Sequence, residues 1–297
     1  MEASEMPRDL CRAGDAIVFN DVSFSYSNGF ALSDLSFTIR SGELALIMGP
    51  NGSGKTTVLK LMAGILKPSS GDVYLCGINT KRVKLSEVAK YVGYVPQNPW
   101  MAFFNNTVFN EIAYVARNIG LSKEEYEARV LEVSTWLNIA HLLQRSPHSL
   151  SEGEARRVSI AAAVTHDPSI VLLDEPTAGL DYLNKVDYVN IVQKAVLRRG
   201  RTVVMSSHDI DLLTLFPEAK VILLNNGRLS FNGYIRDLLS RAHLLLSNKL
   251  LPPAAIALST YLNELLGIGA EGREPSVEEL IERTVLRKDV IGELICS

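Results

Sequence analysis

Apolar and polar residues are arranged in two different patterns along the predicted strands of the chain. Strict alternation predicts half-buried strands near the N-terminus, whereas short continuous apolar runs predict fully buried strands further on. Asn-Gly at 226–227, set between two apolar stretches, predicts the turn of a hairpin over 221–231. The predicted strands are 17–26, 35–39, 44–48, 72–75, 91–95, 169–173 and 202–205.

Between these strands, apolar residues recur every three or four positions, as on one face of a helix. One such stripe runs from Val108 to Ile119 and stops at Gly120. Ser122 and Glu125 have the spacing of a capping box, which predicts the start of the next helix. Further helices are predicted at 56–63, 154–165 and 183–199, and strands that alternate with helices predict an α/β fold with a mainly parallel sheet.

Composition, net charge and cysteine spacing restrict the classes of function that the chain could have. The chain has 297 residues, 47% of them hydrophobic, and a net charge of −3, so charge gives no reason to expect a nucleic-acid partner. Cys11, Cys76 and Cys296 are widely spaced, which favours unpaired cysteines in a reducing cytosol. No signal peptide is expected in 1–15, and prolines and polar residues interrupt the apolar stretch 251–267. We therefore expect any link to a membrane to run through a partner.

Residues 49–56 read Gly-Pro-Asn-Gly-Ser-Gly-Lys-Thr, the pattern of a phosphate-binding loop. The loop lies between a predicted strand and a predicted helix, where free backbone N–H groups and the helix dipole face an anion. Lys55 would bridge the β- and γ-phosphates of a nucleotide, and the Thr56 hydroxyl would bind Mg²⁺. The structural alternative is an ordinary glycine turn.

Three further sites follow predicted strands. The run 169–173 ends in Asp174 and Glu175, which predicts a Mg²⁺ ligand and a group that polarises the attacking water. His208 follows the strand 202–205 and could reach a γ-phosphate. Gln97 follows the strand 91–95 and could offer its amide oxygen to Mg²⁺ and to water. Taken alone, each has a structural reading as a helix start, a packing histidine or a loop glutamine.

The order of these motifs, with Leu150-Ser151-Glu152-Gly153-Glu154 and Asp181 between them, resembles that of ABC-type ATPases over about residues 16–231. The resemblance implies an ABC-type P-loop fold with an antiparallel N-terminal β subdomain and a helical subdomain at about 99–165. The ATPase domain would span 14–231, and 232–297 would be a helical C-terminal extension. The implied nucleotide-binding residues are Tyr26, as the adenine-stacking aromatic, and Asn51, Gly52, Ser53, Gly54, Lys55, Thr56 and Thr57.

The same resemblance implies two such domains bound head to tail, with ATP between the loop of one and the signature 150–154 of the other. Ser151 and Gly153 would cap the partner's γ-phosphate, and Asp181 would lie at the interface. Catalysis would rest on Glu175, His208 and Gln97, and Mg²⁺ would be held by Thr56, Gln97 and Asp174.

Shorter stretches resemble the energy-coupling factor ATPases, including those of cobalt and nickel uptake. They are Tyr26 to Gly29, Gln97 to Pro99, Phe103 to Val108 and Ala116 to Leu121, with a similar C-terminal extension over 251–280. This resemblance implies a peripheral subunit at the cytoplasmic face of the membrane, working with a second ATPase subunit, a membrane coupling protein and a substrate-capture protein. The cargo would be a vitamin or a transition-metal ion.

One motif departs from the family pattern. Glu152 and Glu154 stand where the signature usually has glycine and glutamine, and two carboxylates near a γ-phosphate should repel it unless they turn away. The site completed by this signature is therefore expected to be slow, or to belong to an unequal pair.

Other functions stay open from sequence alone. The chain could serve another class of ABC transporter, or it could be a soluble ABC ATPase that acts on nucleic acid or ribosomes. A small-molecule kinase with the same loop would not need the signature or His208. Trp100, Met101, Phe103 and Phe104 are candidate docking residues for the membrane partner, with a local core as the alternative. We further expect the extension 232–297 to hold two ATPase subunits together.

Overall fold

The protein was analysed as a computed structural model. The structure describes residues 11, 14–27, 29–195, 200–239, 241–248 and 250. Most of the expected extension, including the stretch 251–280, lies outside the described residues.

The strands form two sheets in this part of the chain. They are β1 Asp15–Ser25, β2 Ala31–Arg40, β3 Leu44–Met48, β4 Ser70–Leu75, β5 Ile78–Asn79, β6 Val92–Val95, β7 Ile170–Asp174, β8 Thr202–Ser207, β9 Lys220–Asn225 and β10 Arg228–Tyr234. An antiparallel sheet has the order β2-β1-β4-β5, and a larger sheet has the order β10-β9-β3-β8-β7-β6. All pairs of the larger sheet are parallel except the hairpin β9–β10.

The helices connect these strands and cover the larger sheet. The box of Ser122 and Glu125 is confirmed, because each residue's side chain accepts a hydrogen bond from the other's backbone N–H. The described helices are α1 Lys55–Met62, α2 Leu85–Val88, α3 Val108–Asn118, α4 Lys123–Trp136, α5 Glu152–Val164, α6 Tyr182–Ala195, α7 Asp211–Leu215, α8 Ile235–Leu239 and α9 Ala242–Ser247.

Two hydrophobic cores lie on opposite faces of the larger sheet, and β3 shows the division. Leu46 and Met48 belong to the core shared with α3, α4 and α5, whereas Ala45 and Ile47 belong to the core shared with α1 and the antiparallel sheet. Successive side chains of a strand point to opposite faces, so a continuous apolar run is what a strand buried on both faces requires. The α/β fold predicted from the sequence is confirmed.

Two expectations about individual residues are wrong. Phe103 is only 6% exposed and packs in the core with α3 and α5, so it is not a surface docking residue. Cys11 and Cys76 are joined in a disulfide, with Cα atoms 4.8 Å apart, although 65 residues separate them. Distance along the sequence did not indicate this pairing, because the fold brings the start of β1 against the end of β4.

A candidate nucleotide-binding site

The carboxyl ends of four parallel strands meet at one edge of the larger sheet. Register pairs place Met48 of β3 beside Ser207 of β8, and Asp174 of β7 beside Ser206. Val95, at the end of β6, lies beside Leu173. The segments that leave these strands therefore lie side by side, at the edge where open α/β sheets bind their ligands.

The loop 49–54 between β3 and α1 depends on glycine. Gly49, Gly52 and Gly54 have φ values of 150°, 78° and 108°, which side chains rarely adopt. A Cβ atom at Gly54 would lie 2.5 Å from Leu32 Cδ2, and one at Gly49 would lie 2.4 Å from the Leu224 carbonyl oxygen. This tight turn leads directly into α1, whose first N–H groups have no partner within the helix and can bind an anion.

Lys55 is buried at the start of α1, and carbonyl groups and a carboxylate surround its ammonium group. Nζ donates to the carbonyl oxygens of Gly49 at 2.9 Å and Pro50 at 3.2 Å. Nζ also lies 3.1 Å from Glu175 Oε1. The loop therefore folds around its own lysine and holds that charge at the strand edge.

Three hydroxyl groups surround the carboxylate of Asp174. Thr56 donates to Oδ1 at 3.0 Å, Ser206 donates to the same oxygen at 2.6 Å, and Tyr94 donates to Oδ2 at 3.1 Å. Burial, together with the charge of Asp174, raises the pKa of the Tyr94 hydroxyl. Tyr94 therefore stays protonated and can donate to the carboxylate.

Glu175 follows in a left-handed conformation, with φ of 45°. Its backbone N–H donates to Ser206 Oγ at 2.9 Å, so a single hydroxyl orders both acidic residues. Oε2 of Glu175 lies 3.0 Å from His208 Nδ1. Lys55 and His208 thus contact different oxygens of one buried carboxylate.

Lys55, Thr56, Glu175 and His208 are among the residues that line an open cleft of about 440 Å³. This volume is within the range of small-molecule sites. Most of the residues expected to contact the nucleotide lie here, and Phe30 joins them. The lining residues are Tyr26, Phe30, Asn51, Gly52, Gly54, Lys55, Thr56, Thr57, Gln97, Glu175 and His208.

Ser53 is the one residue of the predicted nucleotide-binding stretch 51–57 that does not line the cleft. It is 2% exposed, and its hydroxyl would be 2.6 Å from a Cβ atom at Gly49, so it packs beneath the loop. Tyr26 also lines the cleft, as part of an aromatic group with Phe24 and Phe30. That group gives the cleft an apolar wall suited to a base ring.

The donor set fits a magnesium nucleotide. Mg²⁺ prefers hard oxygen ligands and is usually held by one or two carboxylates together with substrate phosphates. The Thr56 hydroxyl and the Asp174 carboxylate already lie within 3.0 Å of each other, between the phosphate-binding loop and Glu175. Gln97, an exposed residue after β6, faces the same cleft.

The signature residues lie elsewhere. Ser151 caps α5, and Glu154 accepts a hydrogen bond from the Ser151 N–H at 2.8 Å. This backbone bond lowers the pKa of the Glu154 carboxyl group. Asp181 caps α6 by accepting from the Asn184 N–H at 2.9 Å. Ser151, Gly153 and Asp181 are not among the residues that line the cleft of their own chain.

The sequence reasoning missed Tyr94, Ser206 and Phe30. Tyr94 lies in a strand that the sequence predicts, and Ser206 lies in β8, one residue beyond the predicted strand 202–205. The available signal for each was a polar side chain near the carboxyl end of an apolar strand. Their partner Asp174 is 80 and 32 residues away, so the contacts themselves depend on the sheet order.

Beyond the cleft, the segment after Gln97 presents apolar side chains to the surface. Met101 is 84% exposed and Phe104 is 60% exposed, and the Phe104 ring packs edge-on against Tyr114 at 4.5 Å. None of the helices in the described part of the chain has both the length and the apolar character that crossing a membrane requires.

Comparisons with known proteins agree with this geometry. Residues 32–178 match the ABC transporter family. A putative ABC transporter ATP-binding protein of Pyrococcus horikoshii is 40% identical over 222 residues, covering 74% of this chain and 84% of the relative. The energy-coupling factor transporter ATP-binding protein EcfA of Methanococcus maripaludis is 37% identical, covering 82% of this chain and 88% of the relative.

Solved structures give the same result. The structure of cbiO1 from Clostridium perfringens, described as part of the ABC transporter complex cbiONQ, superposes with a TM-score of 0.69 at 27% identity, covering 86% of this chain and 96% of that chain. A bacterial ABC transporter cassette solved as a dimer gives a TM-score of 0.66 at 28% identity, covering 74% of this chain and 98% of that chain. The chain therefore belongs to the family of ABC transporter ATP-binding proteins and is an ATPase of the ABC type.

Proposed function

We propose that this chain is the ATP-hydrolysing subunit of an energy-coupling-factor-type importer of vitamins or transition-metal ions. The supporting comparisons are the EcfA relative and the cbiO1 structure. The observation that carries the hydrolytic part is the convergence of Lys55, Asp174, Glu175 and His208 at one sheet edge.

In this proposal the phosphates of ATP bind the N–H groups of the loop 49–54 and the ammonium group of Lys55. Mg²⁺, when bound, neutralises phosphate charge and is held by Thr56 and Asp174, with Gln97 as a further oxygen ligand. Tyr26 stacks on the base, and the remaining loop residues Asn51, Gly52, Ser53, Gly54 and Thr57 shape the phosphate site.

Glu175 polarises the attacking water, and His208 stabilises charge at the γ-phosphate. The contact between His208 Nδ1 and Glu175 Oε2 supports this division, because it fixes the ring beside the carboxylate. A phosphate bound at Lys55 would compete with Glu175 Oε1 for the ammonium group, which frees that oxygen to accept a hydrogen bond from water.

A second ATPase subunit completes each site. Ser151 and Gly153 at the start of α5 cap the γ-phosphate of the partner, and Asp181 lies at the shared interface. The supporting observation is that these residues do not line the cleft of their own chain, although α5 has a helix N-terminus suited to a phosphate. The extension 232–297 holds the two subunits together when nucleotide is absent.

The chain sits at the cytoplasmic face of the membrane through an integral coupling protein, which works with a substrate-capture protein. The exposed side chains Met101 and Phe104, next to Gln97, receive the coupling protein. A partner docked there would contact the loop that carries Gln97. Movements of the coupling protein would then be transmitted to the ATP site.

Purification of the tagged full-length chain from its native membranes in mild detergent tests the proposal. We expect an integral membrane protein and an ATPase subunit to be recovered in stable ratio with the chain. Recovery with ribosomes or nucleic acid, and without a membrane protein, would contradict the importer assignment.

A further inference from the structure

Arg156 is a buried arginine on α5 that joins two segments of the chain. Nη2 lies 2.6 Å from Glu152 Oε1, one helical turn earlier, and Nε donates to the same oxygen at 3.3 Å. Nη2 also donates to the Ala178 carbonyl oxygen at 2.8 Å, and Nη1 donates to the Pro176 carbonyl oxygen. One guanidinium group therefore connects the start of the signature helix with the turn that follows Glu175.

The charge of Glu152 balances that of the Arg156 guanidinium group. A buried guanidinium group is costly without an anionic partner, and the two carbonyl groups carry only partial charges. Glu152 supplies the full negative charge, at the spacing of four residues that places both side chains on one helix face. Its carboxylate therefore points to Arg156, and the positive charge of Arg156 offsets the repulsion expected between Glu152 and a phosphate.

Arg156 lies between the nucleotide cleft of its own chain and the signature residues at the start of α5. Pro176 directly follows Glu175, whose carboxylate contacts Lys55 in the cleft of the same chain. Ser151, at the other end of the contact, caps α5 outside that cleft. A shift of the turn 176–178 would pull on Arg156 and on the first turn of α5, because the guanidinium group is planar and makes hydrogen bonds to both.

We propose that Arg156 is a positioning residue that fixes the signature helix against the turn after Glu175, and that Glu152 is its counter-ion. The inference rests on the proposed function in one respect, namely that the signature completes the site of a second subunit. In this arrangement Glu152 supports turnover, whereas simple repulsion of phosphate by Glu152 would slow it.

Glu152→Gln separates these two readings, because it removes the charge and keeps the shape. In the purified complex with its partner subunits, the counter-ion role predicts kcat lower by about threefold with the KM for ATP little changed. Arg156→Met should lower kcat about tenfold or more, since misplaced catalytic groups lose rate steeply. Arg156→Lys should recover part of the loss by keeping the charge.

The double variant Glu152→Gln with Arg156→Met should be no slower than Arg156→Met alone, because the two side chains act as one unit. The matched control is the exposed pair Lys123 and Glu127 on α4, which has the same spacing of four residues. Its variants Lys123→Met and Glu127→Gln should leave kcat unchanged. Thermal melting and ATP binding by each isolated chain check folding, and if Arg156→Met fails to fold, Glu152→Gln and Arg156→Lys decide the question.

A higher kcat for the complex with Glu152→Gln than for the wild type would overturn the proposal. So would a double variant whose loss in kcat equals the product of the losses in the two single variants. Equal kcat values for wild type, Glu152→Gln and Arg156→Lys would overturn it as well. Failure of the proposed function gives a different result, since the wild-type chain would then form no complex with a second ATPase subunit. In that case the melting temperatures of the same single and double variants still measure whether Glu152 and Arg156 are coupled, and additive shifts would overturn the counter-ion role.

Discussion

Lys55 Nζ lies 3.1 Å from Glu175 Oε1, and both side chains are buried, with exposures of 6% and 7%. The phosphate-binding lysine and the candidate catalytic carboxylate are thus direct partners. Removing one member of a buried ion pair leaves the other charge unpaired, and this typically destabilises a protein by roughly 3 kcal/mol.

Lys55→Met should therefore have two effects. The melting temperature should fall because Glu175 loses its buried ammonium partner and retains the more exposed His208 at its other oxygen. ATP affinity should fall at least about tenfold because the phosphates lose a charge-assisted contact. Adding Glu175→Gln to Lys55→Met should recover the melting temperature but not the affinity. Calorimetry and ATP titration measure both quantities. Recovery of the affinity by Glu175→Gln would show that Lys55 serves only to neutralise Glu175.

Tyr94→Phe should weaken metal binding without abolishing nucleotide binding. The Tyr94 hydroxyl donates to Asp174 Oδ2 at 3.1 Å, and groups that orient a metal ligand commonly change metal affinity about tenfold or more. Titration of Mn²⁺ into the ATP-bound chain, followed by electron paramagnetic resonance, measures the affinity directly. ATP binding without metal should stay unchanged. Tyr114→Phe, which removes a hydroxyl from a partly exposed ring, is the control, and equal Mn²⁺ affinities in both variants would contradict the role of Tyr94.

Much of the site could be predicted from the sequence because its signals are local. A loop of glycines ending in Lys55, an apolar run ending in Asp174 and Glu175, and a histidine after a strand each indicate a position at a strand end. Parallel strands then bring these ends together. Ten of the eleven residues that line the cleft were predicted from the sequence, Tyr26 through the family resemblance alone, and Phe30 is the addition.

The features that the sequence did not indicate are long-range or depend on burial. Ser206 reaches Asp174 because β7 and β8 are neighbours, and neighbouring order is a property of the whole sheet. Phe103 and Phe104 are adjacent and equally apolar, but one is in the core and the other at the surface. The pair of Glu152 and Arg156 did have a local signal, an acid four residues before a base on one helix.

His166 should make the stability of the fold depend on pH. Burial lowers the pKa of His166 to about 4, and the positive charges of Arg201 and Arg129 act in the same direction, while a backbone contact with Val92 and the charge of Asp167 act against them. An unfolded histidine has a pKa of about 6.5, so between pH 6.5 and 4 the unfolded chain binds a proton here that the folded chain does not. Stability is therefore lost as the pH falls through this window, by up to roughly 3 kcal/mol.

Urea unfolding of the wild type and of His166→Gln, measured from pH 7 to pH 4, tests this effect. The difference in unfolding free energy between the two proteins should change across the window, with the wild type losing more stability than the variant. His148→Gln, at an exposed position, is the control and should follow the wild type. Parallel curves for the wild type and His166→Gln would contradict the assignment.

Met101 should lie at the contact with the membrane partner, since it is 84% exposed beside the loop of Gln97. A photoactivatable crosslinker on Met101→Cys, in a chain that also carries Cys296→Ser, should join the chain to an integral membrane protein in native membranes. Leu131→Cys, on the exposed side of α4, is the matched control and should give no such product. A product at position 101 with only the second ATPase subunit would count against this docking surface.

Replacement of Glu175 tests most directly whether this chain hydrolyses ATP at the edge of its parallel sheet. Glu175→Gln keeps the shape of the side chain but removes the base, so we expect ATP binding within a few-fold of the wild type and turnover lower by about 10²-fold or more. The exposed residue Glu218 provides the control, and Glu218→Gln should hydrolyse ATP at the wild-type rate. Turnover by Glu175→Gln within about twofold of the wild type would show that Glu175 does not activate the attacking water.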